Sequence, residues 1–81
     1  MEDSVMQVIE NLSMIESDAS IPKNVKGKIR GAIDILRNSQ KNISLRVDQS
    51  LETLGDICED PNLQPYVRMQ LWSIVSQLES K

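Results

Sequence analysis

Cys58 is the one thiol in this 81-residue chain, and there is no histidine to take its proton. Imidazole is the side chain whose ordinary pKa suits a general base near neutral pH. A thiolate attack here would need a carboxylate or a lysine in its place. Cys58 also follows Ile57 on an apolar helical stripe, where a thiol behaves as a small, inert hydrophobe. One thiol and no imidazole exclude an intrachain disulfide and leave structural zinc almost without ligands. Asp56, Glu59 and Asp60 could offer oxygens to a hard cation, but they lack the spacing of a calcium loop. Asp60 doubles as a turn residue, so capping and solvation account for the trio. Glycine-rich phosphate loops and dinucleotide fingerprints are absent. These residues predict no enzyme, no cofactor, no metal site and no small-molecule substrate.

Binding chemistry is better represented. Lys23, Lys26, Arg30, Arg37 and Lys41 fall within one arc at the helical angle of about 100° per residue, opposed by little except Asp34. Such a stripe could track a phosphate backbone, although no aromatic residue interleaves it for base stacking. The plainer account is a solvated face balanced by acids on a neighbouring helix or a partner chain. Gly27 and Gly31 share a small-xxx-small spacing away from the apolar stripe of the same segment, which suits close approach by another backbone or side chain. Trp72 lies roughly 100° or more from the centre of its own segment's stripe. Tryptophan is enriched at interface centres, so Trp72, with its neighbours Arg68 and Met69, is the candidate protein-binding surface, with the Gly27/Gly31 face as a possible extension.

Four helices must position these residues. Apolar residues recur at helical spacing in four stretches: Val5, Val8, Ile9, Leu12 and Ile15; Val25, Ile29, Ala32, Ile33 and Leu36; Ile43, Val47, Leu51, Leu54, Ile57 and Cys58; Val67, Leu71, Ile74, Val75 and Leu78. Expected bounds are near 3–18, 22–39, 43–59 and 64–80. Asp3, Ser4 and Asn42 are candidate N-caps, and Pro22 and Pro65 suit first-turn positions. Prolines bound the first and third breaks. The middle break, 38–42, has neither proline nor glycine and is the least defined.

A shift of 42 positions superimposes Val5 on Val47, Ile9 on Leu51, Leu12 on Leu54 and Ile15 on Ile57 without a gap. It continues through the turn, with Asp18 on Asp60, Ser20 on Asn62 and Ile21 on Leu63. Val25 then falls on Val67, Lys26 on Arg68, Arg30 on Trp72, and Leu36 on Leu78. The period and turn pattern are HEAT-like. Two such units are too few for a solenoid, so the expectation is one all-α domain, 1–81: an antiparallel four-helix bundle from two tandem hairpins, about 1–39 and 43–81.

Asp60-Pro61-Asn62 with Pro65, Arg68 and Leu71-Trp72-Ser73-Ile74-Val75-Ser76 resembles the archaeal uncharacterised protein family numbered 0147. The turn Ile21-Pro22-Lys23-Asn24 is similar to that family's as well. The resemblance implies a four-helix bundle and an archaeal cytosolic protein, and it supplies no activity and no functional residues.

Net charge −3 and a pI near 4.8 disfavour wholesale attraction to nucleic acid or membranes. No apolar run approaches the roughly 20 residues of a membrane span, and the acidic start Met1-Glu2-Asp3-Ser4 has the wrong sign for a targeting signal. A reduced, cytoplasmic setting is expected. With Tyr66 and Trp72 as the only aromatics, the core must be aliphatic and small, which favours help from a second copy. The leading expectation is a non-catalytic interaction or scaffold module, a homodimer through Trp72. The alternative is a nucleic-acid-associated protein using the basic stripe.

Overall fold

The structure, a computed structural model, describes residues 2–79, with side chains from Ser4 onward. Four helices run α1 Glu2–Glu16, α2 Lys23–Arg37, α3 Ile43–Cys58 and α4 Pro65–Glu79. Each packs on its neighbour in sequence, and α1 also packs on α4. The diagonal pairs, α1 with α3 and α2 with α4, have no close backbone approach among the described residues. The helices therefore form a closed antiparallel ring around one core, with two breaks at one end and one at the other.

The predicted stripes make that core. Val8, Leu12, Val25, Ile29, Ile33, Val47, Leu54, Ile57 and Leu71 are fully buried, while Ile9, Ile43 and Leu51 pack at its edge. Ile21 and Leu63 plug it from the first and third turns. Among the described residues Ser50 is the one buried polar residue, and its hydroxyl is satisfied by the carbonyl of Val47 at 3.0 Å. Its position 42 residues earlier is Val8, also buried.

All three breaks use one device. The side-chain Oδ1 of Asp18, Asn38 and Asp60 accepts from the backbone N–H two residues on, at 2.9, 3.1 and 2.9 Å. The carbonyl of each also accepts from the N–H three residues on. This local bonding competes with helix propagation. It explains why α1 and α2 stop at Glu16 and Arg37, two residues before the expected ends. Asn38 thus takes the place of proline or glycine in the middle break. Asn42 caps α3 as expected, accepting from Leu45 N at 2.9 Å. Pro22 stands one position before α2 as its N-cap residue, and Pro65 opens α4. Because α1 already runs from Glu2, Asp3 and Ser4 lie inside its first turn rather than at its cap. The bounds expected at Met1, Ser80 and Lys81 lie outside the described residues.

The shift of 42 carries the bounds of α2 onto those of α4 and pairs residues of like depth: Val25 with Val67, Ile29 with Leu71, and Ile21 with Leu63.

Candidate interaction face

On α4, the spacing that buries Val67, Leu71, Ile74, Val75 and Leu78 turns the rest outward. Trp72 is 52% exposed and Met69 is 73% exposed. Between Pro65 and Leu78 the only charged residue of α4 is Arg68. Arg68 is directed back into its own hairpin rather than to a free face: Nε donates to the Cys58 carbonyl at 3.0 Å. Nη2 donates to the carbonyls of Asp60 and Leu63 at 3.1 and 3.4 Å. A cation that satisfies the last carbonyls of a helix also complements its dipole. Arg46 does the same for α2, donating to the Leu36 carbonyl at 2.8 Å. Arg68 therefore holds the α3–α4 turn, and the outward residues Pro65, Tyr66, Met69, Gln70, Trp72, Ser73 and Ser76 form a face without formal charge. Beside it an open groove of about 240 Å³ runs between α1 and α4, where Met14 is exposed next to Ser73 and Gln70.

Tyr66 anchors this face to the other hairpin. Its Oη donates to Asp18 Oδ2 at 3.2 Å and lies 2.8 Å from Ser20 Oγ. Ser20 Oγ in turn donates to Asp18 Oδ1 at 2.8 Å. The backbone N–H of Ser20, then its hydroxyl, hold the Asp18 carboxyl below its usual pKa of 3.8, with smaller help from Tyr66 and Lys26. A depressed carboxylate contributes stability that is fully present above the unfolded-state value and is lost as pH falls through the folded one. The expected result is an acid limb of unfolding below about pH 4 that flattens in Asp18→Asn, read by circular dichroism against pH. An unchanged limb in the variant would contradict it.

The basic stripe is partly spoken for. Arg30 forms a bidentate pair with Glu16 of α1, Nη2 to Oε1 at 2.7 Å and Nε to Oε2 at 3.0 Å. Lys41 Nζ donates to Gln49 at 3.4 Å, and Lys26 lies close enough to Asp18 to lower its pKa. Lys23 and Arg37 are exposed. Arg37 and Arg46 rim a half-open groove of about 400 Å³ floored by Val5, Ile9 and Leu36. Gly27 and Gly31 have open space where a side chain would stand, so none of the described residues requires them to be glycine. They lie on α2, diagonal to α4, and the structure does not bring them together with Trp72. Cys58 is buried, and burial pushes its thiol pKa up against the opposing charge of Arg68. Asp56, Glu59 and Asp60 form no cluster able to hold a metal ion among the described residues. No helix among those residues is long and apolar enough to cross a membrane.

Sequence reasoning placed Trp72 and Met69 off the apolar stripe, where both are exposed, but missed the bonds of Tyr66, whose partners are 46 and 48 residues away. It also missed the inward use of Arg68. The one usable signal for the latter was its distance of ten residues from Cys58, the last residue of α3, which matches the distance from Arg46 to Leu36, the penultimate residue of α2.

The fold and this face define a small, closed four-helix bundle in which one helix, α4, displays an outer face without formal charge. Residues 1–80 match the Uncharacterised protein family (UPF0147), and the chain belongs to it. A UPF0147 protein of Methanosarcina mazei is 37% identical over 94% of this chain and 82% of its own. One from Sulfurisphaera tokodaii is 32% identical over 98% and 89%. Among solved structures, that of the unknown-function protein MMP1188 matches with a TM-score of 0.93 and 32% identity, covering 98% of this chain and 90% of that one.

Proposed function

We propose that this protein is a non-catalytic interaction module, working in the cytoplasm, that associates with a second copy of itself through the outer face of α4. The observation that carries the reading is the exposure of Trp72 and Met69 on a helix whose single interior cation is consumed by its own turn. Burying a half-exposed tryptophan and a mostly exposed methionine offers a hydrophobic gain that no intrachain contact collects. The two hairpins are read as copies of one unit that have diverged on their surfaces. The first spends position 30 on an ion pair with Glu16, and the second places Trp72 at the matching position. The matching partner of Glu16 is Cys58, which offers no counter-charge.

Trp72→Arg restores the residue of the first hairpin at an exposed site. The expected outcome in sedimentation equilibrium is a self-associating wild type and a monomeric variant, with helicity unchanged. A wild type that stays monomeric at high concentration would remove the reading. The nucleic-acid alternative would rest chiefly on Lys23, Arg37 and Lys41, since Arg30 is already paired, and it requires a salt-sensitive gel shift.

A further inference from the structure

Along the outer face of α4, Pro65, Met69, Trp72, Ser76 and Glu79 are all exposed and follow one another at spacings of four, three, four and three residues. That alternation is the seam by which one α-helix packs along another at about 20°. Trp72 is the middle residue of α4, with seven helical residues on either side. A two-fold axis through the middle of a helix sets it antiparallel to its own copy and brings its central residue against itself.

We infer that α4 pairs antiparallel with α4 of a second copy, with Trp72 on the two-fold axis and Met69 packing beside the partner's Ser76. This rests on the self-association proposed above and specifies its geometry.

Charge restricts a second copy to the α4 face. Two chains of net charge −3 repel one another, and the cost is greatest where like charges are juxtaposed. The outer face of α3 carries Asp48, Glu52 and Asp56, and its C-cap residue Glu59 adds a fourth acid, all exposed. The α2 residues matching the α4 seam are Lys23, Gly27, Arg30, Asp34 and Arg37, four of them charged. On α4 the seam is uncharged until Glu79, and antiparallel pairing places that carboxylate near the positive N-terminal end of the partner's α4. The exposed parts of Met69, Trp72 and Tyr66 amount to on the order of 350 Å² of surface per copy, below the roughly 800 Å² per partner of a standard interface. The dimer is accordingly a weak one, with a midpoint on the order of micromolar to hundreds of micromolar.

Trp72 is the only tryptophan, so its emission reports this contact alone. Mass by sedimentation equilibrium and tryptophan emission are followed together on the full chain from about 1 μM to about 1 mM. The expected result is a mass that doubles and stops, with a blue shift of emission over the same concentrations. Ser76→Glu, at an exposed position that leaves Trp72 in place, moves both midpoints at least tenfold higher, whereas Gly27→Glu, on the diagonal helix, leaves them unchanged. Doubling of mass without an emission shift overturns the α4 pairing while leaving self-association intact. Open-ended growth in mass, or loss of association in Gly27→Glu, shows α4 docking on another face and overturns it too. A chain monomeric throughout defeats the self-association reading itself.

Discussion

Replacing Gly27, Gly31 and Gly55 together by alanine is expected to raise the melting temperature by on the order of 10–20 °C. All three lie inside helices with negative φ, so none is needed for a turn. Each has open space where a Cβ would be added, so the substitution meets no clash. A mid-helix glycine is about 0.8–1.0 kcal/mol less favourable than alanine, through the backbone freedom it loses on folding. Summed, three such changes give about 2–3 kcal/mol, with Gly27 and Gly31, one helical turn apart, the pair whose effects can couple, and a domain of this size gains roughly 4–8 °C per kcal/mol. Differential scanning calorimetry reads the result directly. A rise of less than a few degrees would mean that the open space is filled in solution, by a partner on the α2 face, contrary to the geometry proposed here.

The second large effect lies in the core. Leu12 and Leu54 are both fully buried, occupy matching positions of the two hairpins, and should each lose about 3–4 kcal/mol on replacement by alanine. An 81-residue domain has a total stability of roughly 4–12 kcal/mol, so either variant should be poorly folded near physiological temperature. The informative quantity is the ratio. Under the proposal that the hairpins are copies of one unit, the two leucines have equivalent surroundings, and the stabilities read from urea unfolding should fall by the same amount to within about 1 kcal/mol. If Leu12→Ala were nearly neutral while Leu54→Ala unfolded the chain, the halves would not be equivalent in packing.

Local chemistry made the four helices legible. The 3.6-residue recurrence of Val, Ile and Leu marks each one, and prolines mark two of the breaks, so boundaries fall within two residues of those read from the chain. The middle break was hard to place because an asparagine side chain bonding its own backbone leaves a weaker signature than proline. Ser50 was invisible as a core residue because its burial depends on a local hydroxyl-to-carbonyl bond rather than on polarity. The candidate site divides in the same way. Trp72 stands out from angular position alone, since its angle to the apolar stripe is fixed by helix geometry. Arg30 with Glu16, and Tyr66 with Asp18, depend on which helices become neighbours. Gly27 and Gly31 were joined to Trp72 because both surfaces are off-stripe, and only the ring order of the helices sets them on opposite sides of the bundle.

The central claim, that the uncharged outer face of α4 is the contact surface, is tested most directly by amide NMR shifts followed on dilution. Shifts confined to Met69, Trp72, Ser76 and their α4 neighbours, with Gly27, Arg30 and Asp34 of α2 unmoved, are what the account predicts. Spectra independent of concentration up to about 1 mM, or shifts centred on α2 or α3 instead, would contradict it.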